Sequence, residues 1–188
     1  MVDPDGDVLE LVRDDQIRAA LEQLMRRYGT AVYRYCRAEL RDEALADDVQ
    51  QQVFIEAFRD LPRFKRISTV RIWLFGIARH RVLDAAKQRT RRRNRFEPVD
   101  DAGVDAEDAR PSPGESLDDA RLRLALVACL SRLGDDARTA VLLHYQLGVS
   151  FEDMSKICGE KPGTLHARVA RSLLRLRALI ESRIARAR

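Results

Sequence analysis

Residues 96–116, FEPVDDAGVDAEDARPSPGES, carry three prolines and two glycines with no apolar periodicity. Proline removes a backbone donor and clashes with the turn before it, so no helix or strand ladder runs through this stretch. The 188-residue chain is therefore expected to divide into two bodies, over residues 14–95 and 117–188, with 96–116 as an acidic flexible linker. Residues 1–13 are acidic and poor in apolar side chains, which predicts a loose tail. With 45% hydrophobic residues, each body can bury a core. Only 6% of residues are aromatic, whereas Ala, Leu and Arg abound. That balance predicts an all-α fold of two small helical domains.

Charge is distributed by segment. From Arg79 to Arg95 there are eight Lys or Arg and one acid, Asp84; from Lys161 to Arg188 there are again eight bases and one acid, Glu181. Between them, Glu97 to Asp119 holds nine acids and one base. Two basic bodies joined by an acidic strap point to two surfaces for a polyanion.

The apolar spacing of Ile17, Leu21, Leu24, Tyr28, Val32 and Tyr35 predicts one or two helices over 14–40, with Gly29 a candidate break. A further helix over 43–61 stops at Pro62, the loop RFKRISTVR follows, and a long helix begins near Arg71. In the second body, Ser116 and Asp119 fit a capping box, and Leu122, Leu126, Leu130 and Leu133 form a stripe. A helix over 135–147 ends at Gly148. Ser150 then caps a short helix closed by Gly159, and Pro162 opens the last one.

A short helix, a glycine turn and a longer basic helix make a helix-turn-helix pattern. On a wheel of about 100° per residue, Thr164, Arg168, Arg171 and Arg175 share one side, while Leu165, Val169, Leu173, Leu176 and Ile180 share another. A solvated helix mixes acids among its bases, yet none occurs from Lys161 to Ile180. The basic side is therefore assigned to phosphate or base contact; over the helix as a whole the base-reading candidates are Thr164, His166, Ala167 and Arg171, and the phosphate anchors Lys161, Arg168 and Arg175.

The run LGDDARTAVLLHYQLGVSFEDMSKICGEKPGTLHARVARSLLRLRALI resembles region 4 of the extracytoplasmic-function (ECF) sigma factors of the sigma-70 family. Arg138, Gly148, Ser150, Gly163, Thr164, Arg168 and Arg171 stand where that pattern places them. DDVQQQVFIEAFRDLPRF and RIWLFGIARHRVLDAAKQRTRRR resemble region 2. The resemblance implies a promoter-specificity subunit that binds core RNA polymerase through its β′ clamp helices and β flap. Such a subunit recognises the −35 element as duplex and opens the −10 element as single strand. It works in the cytoplasm without a cofactor or metal, and is held by an anti-sigma factor.

On the helix over 47–60, Asp48, Gln51, Gln52, Ile55 and Arg59 share an outer face opposite Val49, Val53 and Ala57. The resemblance gives this face to core polymerase, with Ile55 as its apolar centre. It gives the −10 strand to Lys65, Arg66, Ser68, Thr69, Arg71, Arg79, His80, Asp84 and Lys87, which supply the polar groups that single-stranded DNA needs. Trp73 is read as core rather than as a stacking platform. Two departures limit the analogy: His80 replaces a frequent asparagine, and Glu160 puts an acid in the turn facing phosphates unless it points to water or pairs with Lys161.

Other classes fit less well. A stand-alone helix-turn-helix repressor or activator is the alternative, but it has no need of the region-2 motif. No paired carboxylates, nucleophile–base set or glycine-rich phosphate loop suggests an enzyme. Cys36, Cys129 and Cys158 form no C-x-x-C pair, as in a reducing compartment, and Cys158 with His166 is too small a set for zinc. No segment reaches the roughly 18 apolar residues of a membrane span, so no membrane insertion is expected.

Overall fold

The computed structural model describes residues 4–96 and 117–186, and among these every regular element is helical. The expected linker and the capping pattern at Ser116 and Asp119 lie outside the described residues and side chains. The N-terminal stretch, expected as a loose tail, instead forms α1 (Gly6–Arg13), with Val8 and Leu9 buried. Its acids are anchors: the buried Asp5 carboxylate accepts from Tyr28 Oη at 2.8 and 2.9 Å and from Arg27, which also reaches Asp7 at 2.7 Å. Val8, Leu9, Leu11 and Val12 follow a helical period over barely two turns, and the polar groups that hold the helix belong to the next one.

α2 (Ile17–Leu40) is one helix, continuous through Gly29, whose carbonyl accepts from Gln50 Nε2 at 2.8 Å. Arg41 turns the chain at a φ of 57°, and Asp42 caps α3 (Glu43–Asp60) by accepting from Leu45 N at 3.0 Å. Pro62 sits in a tight turn over Leu61–Arg63, and α4 (Val70–Phe96) follows the loop. Leu24, Val32, Tyr35, Val53, Leu74 and Phe75 fill the space between α2, α3 and α4. Tyr35 and Phe75 meet edge to face at 6.3 Å.

The second half contains α5 (Leu117–Leu130), α6 (Asp135–Val141), a wider helical turn over Leu142–Gln146, α7 (Phe151–Cys158) and α8 (Pro162–Arg186). Gly148 and Gly159 take φ of 61° and 72°, the left-handed values that glycine adopts at least cost. Ser150 Oγ accepts from Asp153 N at 3.1 Å, the expected cap. The stripes hold in part: Leu133 is buried as expected and Leu130 half-buried, but Leu122 and Leu126 are exposed and Cys129 is buried. On α8, Leu165, Val169 and Leu176 are buried as expected, but Leu173 is exposed and the small Ser172 takes the inward position. Ser172 Oγ satisfies itself by donating to Arg168 O at 2.8 Å.

The two bodies do not stand apart. Leu143, Leu147, Val149, Met154 and Leu165 belong to the same continuous core as α2, α3 and α4, with α7 packed on α4 and α6 on α2.

Candidate polymerase and nucleic-acid interfaces

α3 turns Val49, Val53, Phe54 and Ala57 inward, which leaves Asp48, Gln51, Gln52, Ile55 and Arg59 in solvent. Ile55 is 62% exposed. Phe58, three residues on, is 45% exposed, although the helix period sets it beside the core. Ile55 and Phe58 are one turn apart, so they extend a single apolar spot on a polar face. Arg59 is tied to its own helix by Asp60 at 2.8 and 2.9 Å.

The loop after Pro62 carries Lys65 and Arg66 in solvent, with Arg66 at a φ of 55°. Ile67, apolar and so absent from the polar candidates, is 80% exposed at its tip. Thr69 serves the fold, since its hydroxyl accepts from Ile72 N at 3.3 Å and caps α4. Trp73 is half-buried against Phe64, ring centroids 5.2 Å apart.

Along α4, His80 and Lys87 are exposed, and Asp84 lies 3.6 Å from both His80 and Arg81. Two of the assigned cations are only partly exposed. Arg71 donates to the carbonyl of Leu147 in the second half. Arg79 is half-buried under α7, and its Nε is buried with no hydrogen-bond partner among the described residues. The wheel of α4 could not show this, because the covering side chains come from much further along the chain.

α8 presents Lys161, Thr164, His166, Arg171 and Arg175 outward, with Ala167 and Arg168 half-buried. Among the described residues no carboxylate lies within 4 Å of Lys161, Arg171 or Arg175. His166 leans edge-on against Phe151 at 5.1 Å, and Phe151 in turn stacks on His144 at 4.3 Å. Glu160 pairs with Arg168, and not with Lys161: two parallel bonds of 2.6 and 2.5 Å join the guanidinium to the carboxylate. The Arg168 fork holds the Glu160 carboxyl below its ordinary range.

Between the halves lies a buried ionic cluster. Arg138 Nε donates to Glu39 Oε2 at 3.1 Å, and Thr139 Oγ1 donates to Glu39 Oε1 at 2.5 Å. The Glu39 and Arg138 side chains are 3% and 5% exposed. Arg138 also reaches Asp135 at 2.6 Å and the Leu133 carbonyl at 3.3 Å. Burial pushes the Glu39 carboxyl up, against the pull of Thr139 and Arg138. The sequence carries a trace of this pair, an acid on the same inward face of α2 as Val32, Tyr35 and Cys36. Beside the seam, a cleft of about 420 Å³ is lined by Ile67, Ser68, Trp73 and His80 from the first half and by Lys156 and Ile157 from α7. The −10 candidates thus border the helix-turn-helix unit.

Comparison with known proteins agrees with this arrangement. Residues 24–92 match Sigma-70 region 2, and residues 123–176 match Sigma-70, region 4. The chain is 34% identical over 158 residues to the ECF RNA polymerase sigma factor SigC of Mycobacterium tuberculosis, covering 81% of this chain and 79% of that protein. It is 30% identical to the RNA polymerase sigma factor CarQ of Myxococcus xanthus, over 88% of this chain and 92% of that one. Among solved structures, the sigma factor RpoE of Bartonella quintana in complex with the anti-sigma factor NepR superposes with a TM-score of 0.72 at 25% identity, over 85% of this chain and 96% of that chain. CnrH, solved with the cytosolic domain of CnrY, gives 0.67 at 25% identity, over 93% and 95%. No helix among the described residues is long and apolar enough to cross a membrane. With two region matches in order, and relatives aligned over most of both chains, this protein belongs to the ECF RNA polymerase sigma factors of the sigma-70 family.

Proposed function

We propose that this alternative sigma factor docks on core RNA polymerase through the outer face of α3, reads the −10 strand with the loop and outer side of α4, and reads −35 duplex with α8. The observation that carries this reading is the pairing of two unlike surfaces on one chain. α3 offers an exposed apolar spot in a polar ring, and α8 offers Lys161, Arg171 and Arg175 with no carboxylate in reach among the described residues. The first fits a protein and the second a polyanion. Lys65, Arg66, His80 and Lys87 are open to single-stranded DNA as the chain stands, whereas Arg71, bound to the Leu147 carbonyl, and the half-buried Arg79 become fully available when the second half moves away. The chain supplies specificity and polymerase supplies the chemistry, which sets its place of work in the cytoplasm. An anti-sigma partner of the kind seen with RpoE would cover the polymerase face of α3.

Run-off transcription with purified core polymerase, with and without this protein, on DNA from upstream of its own gene tests the reading. Initiation that depends on the protein supports it. Tight duplex binding by the isolated chain without initiation turns the assignment to a stand-alone repressor. On that template Arg171→Ala is expected to cost about 1–3 kcal/mol of binding if the arginine reads a base. Measured on the same DNA and on random duplex, an equal loss would make it a phosphate contact.

A further inference from the structure

The turn before α8 holds a charge pair whose geometry bears on how the helix meets DNA. Arg168 lies two turns into α8, and its guanidinium bends back over the helix start to the Glu160 carboxylate. Both terminal nitrogens are taken, at 2.6 and 2.5 Å, in the parallel fork that guanidinium also forms with a phosphate. The pair is partly sheltered, with the two side chains 22% and 30% exposed. Arg79 from α4 adds a further pull on the Glu160 charge. Lys161, Arg171 and Arg175, on the same helix or at its start, have no carboxylate in reach among the described residues. One cation of the DNA face is therefore neutralised from within, and these three are not.

Resting on the −35 assignment of α8, we propose that Glu160 withholds Arg168 from the DNA backbone, so the helix binds duplex with one phosphate contact fewer than its cations allow. Affinity for arbitrary duplex comes from phosphate neutralisation, and each neutralised phosphate contributes about 0.9 to the slope of log affinity against log salt. A carboxylate in the arginine fork removes one such contact on every sequence. Free chain is thereby kept off bulk DNA, and engagement relies on the base contacts of α8 and on the remainder of the polymerase assembly.

The test uses the full chain and a fluorescent duplex of random sequence, about three helical turns long, titrated by anisotropy across a KCl series. Glu160→Gln removes the charge and keeps the side-chain size. It is expected to steepen the salt slope by about 0.9 and to tighten binding about threefold at roughly 0.3 M salt and about eightfold at roughly 0.1 M. Arg168→Ala alone is expected to leave the salt slope unchanged, since the arginine neutralises no phosphate while Glu160 holds it, with any loss of affinity coming from the freed carboxylate. In the Arg168→Ala background, Glu160→Gln is expected to lose most of its gain. If that gain persists undiminished in the double variant, Glu160 merely repels DNA and the proposal is overturned. Arg175→Ala separates this failure from failure of the −35 reading. If Arg175→Ala weakens binding several-fold while Glu160→Gln is silent, α8 is the DNA face and the proposal is wrong. If both are silent, α8 does not meet DNA and the proposal falls with the −35 reading.

Discussion

Glu39→Ala is expected to part the two halves of the chain. The substitution removes the buried carboxylate that faces Arg138 Nε and leaves the guanidinium, 5% exposed, with Asp135 as its remaining acidic partner. Breaking a buried pair by removing one partner costs about 3–5 kcal/mol, since the orphaned charge keeps its desolvation penalty. Asp135, 74% exposed, still accepts from Arg138, which places the loss toward the lower end of that range. The remaining polar ties across the seam are few among the described residues: Arg71 to the Leu147 carbonyl, and Arg41 to the Ser131 carbonyl at 3.5 Å. Separation hydrates Arg138 at the expense of the shared apolar contact. Solution scattering should show a larger radius of gyration, and amide exchange in α7 should accelerate while the α2–α4 core stays protected. A lower melting temperature at unchanged radius would mean that the halves unfold together and that the seam does not open. Replacing both residues with methionine removes both charges at once, and is expected to restore the compact form to near wild-type stability.

Ile55→Glu is expected to weaken binding to core polymerase by about 2 kcal/mol or more, as for an apolar anchor at the centre of an interface. That is roughly a 30-fold rise in Kd. The side chain stands in water in the free chain, at 62% exposure, so the substitution should leave the thermal melt unchanged. Phe58→Glu should act in the same direction, because Phe58 extends the same spot. Titration of labelled core polymerase with each variant measures the effect. Full affinity in both variants would move the polymerase contact off this face.

Local grammar carries much of the fold. Pro62, Ser150 and the two left-handed glycines, Gly148 and Gly159, mark element ends in the sequence as they do in space. Each acts through its own backbone, so neighbours along the chain suffice to read it. The exposed face of α3 and the basic face of α8 are legible for a similar reason, since one helix period sorts inward from outward. What escapes depends on partners distant in sequence. α1 is held by Arg27 and Tyr28 of α2, so its two buried apolar residues understate it. Arg71 and Arg79 look like any other cations of α4 until the second half lies over them. Glu39, an acid on the inward face of α2, has no visible partner until Arg138, 99 residues away, is brought against it. Ser172 is buried in place of Leu173 because at about 100° per residue it falls closer to the arc of Leu165, Val169 and Leu176, an inward position that a search for leucines passes over.

The seam also carries its own chemical clock. Cys158 closes α7 at the edge of the contact, half-buried, with its thiol pushed up by burial and drawn down in part by Arg79. Cys36 lies inside the first half, and burial raises its thiol to about 12. Because the thiolate is the species that reacts, both sulfurs are sluggish in the compact chain. They are released by different events: Cys158 by withdrawal of α7 from α4, Cys36 only by dissolution of the α2–α4 core. The ratio of their alkylation rates therefore reports how often the promoter-reading halves come apart, in the native sequence and without an added probe.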